Sequence, residues 1–134
     1  MFRDFDLWNI LKKRVEFEPS VPYFHPREIW FARLGKNVGF EQNGKGKDFL
    51  RPILVLKKFN KRVFWALPLT TSGKLGSLYS PLGLVDGKMS TAILSQLRLV
   101  DAKRLLYKSA VLSKTVFLNL KKAISDILLS NDDF

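Results

Sequence analysis

The chain has 134 residues, of which 46% are apolar, and its 23 basic and 12 acidic residues give a formal net charge of +11. This length and apolar content predict one folded domain and exclude a chain that is disordered throughout. The absence of cysteine excludes disulfides and thiolate metal sites. The positive charge favours a polyanionic partner, nucleic acid or an acidic protein, with solubility or a membrane-surface patch as the alternative explanations.

The first 26 residues are predicted to form a helix and an extended connector that precede the main domain at 27–134. Residues 3–16 place apolar side chains at helical spacing, and three basic residues end the segment, where a helix dipole favours cations. Three prolines between 19 and 26 exclude a helix from the connector. Packing, a lid over a site and a docking surface are the alternative roles of the helix.

The same N-terminal segment does not resemble a signal peptide. Asp4 and Asp6 come early, and the long apolar core of a signal is missing. No other run approaches the ~20 apolar residues that a membrane span needs. A soluble, cytoplasmic protein without a membrane partner is therefore predicted.

The side chains of residues 27–34 alternate between two sets in sequence, which predicts a strand with one apolar face. The loop from there to residue 50 contains four glycines and is long for a hairpin connection, which indicates a functional loop. It matches no phosphate-loop signature and no helix follows it, so a nucleoside triphosphate site is excluded.

Two apolar runs, 53–56 and 63–69, flank a short basic turn and predict an antiparallel hairpin. Pro52 suits the start of a strand and biases Arg51 towards an extended backbone. The hairpin then brings Arg51, at the start of one strand, near Thr70, at the end of the other, with Glu41 in the preceding loop above the same corner. A guanidinium, a carboxylate and a hydroxyl at a basic sheet edge indicate a phosphate site.

The second half of the chain is predicted to continue the sheet and to end in a helix. Runs 82–85 and 89–94 flank Asp86-Gly87, which is typical of a type I′ hairpin, and 95–99 and 105–112 are predicted as further short strands. Ser113 is a good N-cap. The apolar face of the final helix comprises Val116, Phe117, Leu120, Ile124, Ile127 and Leu128. The pattern predicts a mainly β fold, a small and partly open barrel closed by that helix.

The residue inventory excludes several kinds of catalysis. His25 is the only histidine, so a two-histidine ribonuclease and a multi-histidine metal site are impossible, and His25 is interpreted as structural. No nucleophile-elbow motif surrounds a serine. No two carboxylates have the close sequence spacing of a two-metal nuclease, although folding can gather distant ones, so we expect no metal and no cofactor. What remains is metal-free chemistry on RNA, in which the 2′-hydroxyl is the nucleophile.

In that chemistry Arg51 stabilises charge on the phosphorane, Thr70 donates a hydrogen bond, and Glu41 is the general base or orients it. Each also has a simpler interpretation: Arg51 pairs with Asp48, Thr70 is an ordinary strand residue, and Glu41 bonds loop amides. The lysines expected to hold the RNA because they are near Arg51 in sequence are Lys45, Lys47, Lys57 and Lys58.

Five blocks resemble the PemK/MazF family, the toxin halves of bacterial type II toxin–antitoxin pairs. They are REIW at 27–30, LGKNVGFEQ at 34–42, RPILVL at 51–56, LPLTT at 67–71 and AILSQLRLVDAKRL at 92–105. The resemblance implies an SH3-like barrel, a homodimer, a small acidic antitoxin, and metal-independent, sequence-specific cleavage of single-stranded RNA to 2′,3′-cyclic phosphate and 5′-hydroxyl ends. Such cleavage of mRNA inhibits translation and growth.

The resemblance also assigns residues. The catalytic arginine and threonine of the family fall on Arg51 and Thr70. The glutamate of its GxEQ block falls on Glu41, and the glutamine of its last block falls on Gln96. The remaining candidates for RNA binding are Gln42, Thr71, Lys74 and Arg98. The chain departs from the family in a longer loop at 43–50 and in its N-terminal extension. A non-catalytic barrel that binds nucleic acid or a protein partner, including a topoisomerase poison, is the alternative function.

Overall fold

The computed structural model describes residues 20–34 and 50–131. The predicted helix at 3–16 and the loop at 35–49 lie outside these residues. The strands are β1 (Glu28–Arg33), β2 (Leu50–Lys58), β3 (Val63–Thr70), β4 (Tyr79–Val85), β5 (Lys88–Ile93), β6 (Arg98–Asp101) and β7 (Leu105–Val111). Helix α1 follows at Lys114–Leu129, and short 3-10 helices lie at Leu94–Gln96 and Ala102–Arg104.

The strands form one curled antiparallel sheet in the order β4-β5-β3-β2-β1-β7, with β6 paired to β3. Strand β3 pairs with β2 along one side. Its other side is shared, because β5 pairs with its end and β6 with its beginning. The mainly β, barrel-like fold with a C-terminal helix is thereby confirmed.

The β2–β3 hairpin has the predicted antiparallel pairing. Ile53 lies opposite Pro68 and Leu54 opposite Leu67, and the same register continued by two residues sets Arg51 opposite Thr70. The strand begins earlier than predicted, since Pro52 is its third residue. The β4–β5 hairpin is also confirmed, and Asp86 and Gly87 have φ angles of 51° and 79°, as a type I′ turn requires.

The strand predicted at 95–99 is wrong. A 3-10 helix at Leu94–Gln96 carries the chain from β5 to β6, and the strand starts only at Arg98. The physical reason is that both strands pair with the same side of β3, so the chain must leave the sheet and re-enter it farther along. Strand β7 and the helix that follows it are where the sequence predicts them.

Apolar side chains form two core clusters on opposite faces of the curled sheet. Trp30, Ile53 and Phe64 belong to one cluster, and Ile29 and Leu67 belong to the other. The prediction that the first strand has a single apolar face is therefore wrong, because neighbouring residues of β1 enter different clusters. Burial on both faces explains why β1 lies inside the sheet, between β2 and β7.

Helix α1 begins at its predicted cap, where the Ser113 hydroxyl accepts a hydrogen bond from the Val116 amide at 3.2 Å. Phe117 and Leu120 are buried against the second cluster. Leu128, predicted on the buried face, is 72% exposed, because it lies in the last turn of the helix, whereas the buried residues lie in its first half. No helix in the described part of the chain is long and apolar enough to cross a membrane.

The connector packs against the barrel. Phe24 is fully buried in the first cluster. Arg27, directly after the connector, has a φ of 77° and forms hydrogen bonds with β2 and with the residue that follows β7. Its amide donates to the Val55 carbonyl at 3.0 Å and its Nε donates to the Leu112 carbonyl at 2.9 Å. The division into segments 1–26 and 27–134 stays a prediction.

Candidate functional site

A cavity of about 190 Å³ lies where β2 begins and β3 ends. Arg51, Pro52, Thr70 and Thr71 line it from the β2–β3 hairpin. Asp86, Lys88 and Ser90 line it from the β4–β5 hairpin, and Ser109 from β7. The described structure therefore places the predicted Arg51 and Thr70 in one cavity, together with residues from two more distant strands.

Arg51 is buried, with 4% of its surface exposed. Within the described part of the chain its Nε and Nη2 have no hydrogen-bond partner. Burial lowers the pKa of Arg51 below the ordinary value for arginine, since the charged form loses its hydration. The guanidinium nevertheless remains a cation at neutral pH. Buried donors without a partner among the described residues are costly, and an anionic ligand such as a phosphate offsets that cost.

Thr70 has a hydroxyl that the adjoining turn orients. Its Oγ1 lies 2.9 Å from Ser72 Oγ and accepts a hydrogen bond from the Ser72 amide at 3.2 Å. Because the hydroxyl accepts the amide proton, its own proton can be donated to Ser72 or to a ligand. Thr71 is exposed and lines the same cavity.

Sequence reasoning missed Asp86, Lys88, Ser90 and Ser109. Asp86 was interpreted only as a turn residue, and nothing in the local pattern marks Ser109. These residues reach the cavity because the sheet curls, so that strands β4 and β7, at the two ends of the sheet order, approach each other. The Ser109 hydroxyl donates to Asp86 Oδ2 at 3.2 Å across that gap.

Lys57 and Lys58 are not brought to this cavity. They are at the far end of β2, about 20 Å from Arg51 at the rise of an extended strand. Lys58 Nζ donates to the Phe24 carbonyl at 2.9 Å and lies 4.5 Å from the centre of the Phe24 ring. An RNA-binding role for these two lysines stays a prediction, and it would require the bound RNA to extend well beyond the cavity.

The other sequence candidates fall into two groups. Gln96 lies in the 3-10 helix, Arg98 starts β6 opposite Ala66, and Lys74 is exposed in the loop after β3, and these three do not line the cavity. Four candidates, Glu41, Gln42, Lys45 and Lys47, lie outside the described residues, as does Asp48. Their roles stay predictions.

No group of three or more histidines, aspartates or glutamates that could hold a metal occurs in the described residues. His25 lies next to Glu28, with its Nδ1 3.4 Å from Glu28 Oε2 and its amide donating to Oε1 at 2.8 Å. Since His25 does not line the cavity, its contacts support the structural interpretation.

Comparisons with known proteins identify the relatives. The profile of the family described as "PemK-like, MazF-like toxin of type II toxin-antitoxin system" matches residues 25–128. Curated protein sequences yield no match.

Solved structures share the fold at low sequence identity. The Mycobacterium tuberculosis toxin MazF-mt6 has a TM-score of 0.60 and 19% identity, over 79% of this chain and all of that chain. MazF from Deinococcus radiodurans has a TM-score of 0.63 and 19% identity, over 81% of this chain and 97% of that chain. An endoribonuclease in complex with its cognate antitoxin, from a mycobacterial species, has a TM-score of 0.63 and 11% identity, over 82% of this chain and all of that one.

Proposed function

Because this chain belongs to the PemK-like, MazF-like family of type II toxins, we propose that it is a metal-independent, sequence-specific endoribonuclease that cleaves single-stranded RNA. The observation that carries the proposal is Arg51, a buried guanidinium in a cavity that also contains Thr70, with two nitrogens that find no partner among the described residues. A scissile phosphate supplies the acceptors that these donors lack.

In the proposed mechanism the ribose 2′-hydroxyl attacks the adjacent phosphorus and the bond to the 5′-oxygen of the next nucleotide breaks. The products carry a 2′,3′-cyclic phosphate and a 5′-hydroxyl. Arg51 binds the non-bridging oxygens, whose negative charge grows as the phosphorane forms, and it therefore stabilises the transition state more than the ground state. Thr70 donates a hydrogen bond to the same group, and Glu41 is the proposed base or orients it.

The first prediction concerns metal independence. Purified protein is expected to cleave single-stranded RNA equally well in EDTA and in magnesium, because no step uses a metal. DNA of the same sequence should stay intact, since it lacks the 2′-hydroxyl. The measurement is gel analysis of the products with chemical identification of their ends. Magnesium-dependent cleavage, or cleavage of DNA, would contradict the proposal; folded protein that binds RNA without cutting it would favour the non-catalytic alternative.

We further propose that the toxin is a homodimer and that a small acidic antitoxin neutralises it in the cytoplasm. One structural relative was solved with its cognate antitoxin, and the net charge of +11 suits an acidic partner. A groove of about 470 Å³ between α1 and the far end of β2–β3 offers a docking place.

The groove has apolar walls and a basic rim. Trp65, Phe117 and Leu128 contribute apolar surface, and Lys57 and Lys121 contribute positive charge. An acidic segment with apolar anchors complements both features. From this groove about six extended residues would reach the cavity around Arg51 and cover it.

Leu128→Asp is the test of this docking place. It puts a carboxylate in the groove, and we expect about tenfold weaker binding of the proposed acidic antitoxin, measured by titration calorimetry. Leu118→Asp is the matched control, because Leu118 is equally on α1 and exposed but does not line the groove. Equal affinities of the two variants would place the antitoxin elsewhere.

A further inference from the structure

Asp86 is the acidic residue among those that line the Arg51 cavity, and it is held there by two features. Its backbone has a φ of 51° in the tight turn between β4 and β5. Its Oδ2 accepts a hydrogen bond from the Ser109 hydroxyl at 3.2 Å, and no described residue bonds its Oδ1. A fixed carboxylate at an exposed position is thus built into the cavity wall.

A carboxylate is out of place in a cavity that binds only phosphate. Like charges repel, so Asp86 weakens phosphate binding unless it contacts another part of the ligand. Nor does Asp86 neutralise Arg51, because no ion pair joins these two residues in the described structure. The ligand must therefore bring hydrogen-bond donors to Asp86.

Nucleotide bases differ in the donors that they can offer. Adenine, cytosine and guanine each carry an exocyclic amino group on the Watson–Crick edge, and unpaired bases of single-stranded RNA expose that edge to proteins. On the same edge uracil has a single N–H flanked by two carbonyl oxygens. A carboxylate repels these oxygens. Lys88, exposed two residues after Asp86 in the same cavity, provides a cation for a neighbouring phosphate.

We propose that Asp86, oriented by Ser109, is a specificity-determining residue that selects an amino-bearing base beside the scissile phosphate and rejects uracil. This inference rests on the proposed ribonuclease function and adds the base preference of the same site. The simpler account is that aspartate is present only because the turn needs a positive φ. Asparagine serves that turn equally well, so Asp86→Asn keeps the turn and removes the charge.

The test uses a pool of single-stranded RNA with random sequence, and both the bound fraction and the cleaved fraction are sequenced. For the unaltered protein we expect uracil to be depleted about tenfold at one position next to the cut in the cleaved fraction. The bound fraction should show the same depletion of uracil at one position. Asp86→Asn should abolish that depletion, because an amide can accept from and donate to uracil, and Ser109→Ala should reduce it.

Asp126→Asn is the matched control, since Asp126 is exposed on α1 and does not line the cavity. Depletion that is lost in Asp86→Asn and kept in Asp126→Asn supports the inference. The same base frequencies in Asp86→Asn and the unaltered protein would overturn it, as would a protein with no uracil depletion at all. If no RNA is cut, the base frequencies in the bound fraction still test the role of Asp86. The absence of cleavage would by itself contradict the nuclease proposal.

Discussion

Arg51→Lys and Arg51→Ala are both expected to slow single-turnover RNA cleavage by about 10²–10³-fold, which corresponds to roughly 3–4 kcal/mol of transition-state stabilisation. The reason is geometric. A guanidinium presents several N–H groups in a rigid plane that matches two phosphate oxygens, whereas an ammonium is a point charge on a flexible stem. If positive charge alone were sufficient, lysine would keep most of the activity.

The matched control is the pair Arg62→Lys and Arg62→Ala. Arg62 is exposed beyond the far end of β2, and its guanidinium forms a long ion pair of 3.8 Å with Asp101, so these changes are expected to leave cleavage unaltered. RNA affinity of the Arg51 variants should change far less than the rate, because other cations hold the strand. Cleavage at the original rate by folded Arg51→Ala would show that the catalytic site lies elsewhere.

Thr70→Val should show the same pattern in a milder form, because it removes the single donor that Thr70 offers to the phosphate, together with the contacts of its hydroxyl with Ser72, at little change in volume. Measurements of stability separate an effect on catalysis from an effect on folding among the Arg51 variants. Arg51→Met replaces a buried cation, two of whose nitrogens have no partner among the described residues, by an apolar side chain of similar length, and we expect its melting temperature to be equal or higher. A large fall in melting temperature would mean that Arg51 supports the fold rather than a bound phosphate.

Glu28→Ala is expected to lower the free energy of unfolding by about 3 kcal/mol, or the melting temperature by about 10 °C. The Glu28 carboxylate is buried and accepts from Trp30 Nε1 at 3.0 Å and from the His25 amide at 2.8 Å. It also lies 3.5 Å from Lys108 Nζ. Removing it leaves buried donors without an acceptor, which costs more than the loss of an average hydrogen bond.

The stability contributed by Glu28 depends on pH. Burial alone would raise the pKa of Glu28, but the hydrogen bonds from Trp30 and His25, together with the charges of Lys108 and His25, outweigh burial and lower it. The ionised form is thus favoured by folding, and its contribution is complete above the ordinary pKa of glutamate. It is lost as the pH falls through the lowered folded pKa.

Glu28→Gln separates charge from hydrogen bonding, since the amide keeps one acceptor and loses the charge. We expect its deficit in stability to be full near neutral pH and to shrink in acid, measured by denaturant unfolding across the acidic range. Asp126→Asn is the control, because Asp126 is exposed on α1. A deficit for Glu28→Gln that is constant across this pH range would contradict the role assigned to the charge.

Local patterns were sufficient for much of this protein. The β2–β3 hairpin follows from two apolar runs around a short turn, and antiparallel pairing then sets Arg51 opposite Thr70 without further knowledge of the fold. Likewise, the Asp86-Gly87 turn and the cap of α1 at Ser113 depend on neighbours within a few residues. Such features could be predicted because the interactions that form them span short stretches of sequence.

The curling of the sheet determines the features of the site that local patterns do not predict. It brings Asp86, in the turn after β4, and Ser109, 23 residues later on β7, together at the Arg51 cavity. It also buries Arg51 and Glu28, whose charges give no sign in the sequence of being inside. In the opposite direction, the extended β2 separates Arg51 from Lys57 by about 20 Å although they are close in sequence. That separation lies within one strand, whereas the meeting of Asp86, Ser109 and Arg51 depends on long-range pairing, because only the curled sheet determines which edges approach each other.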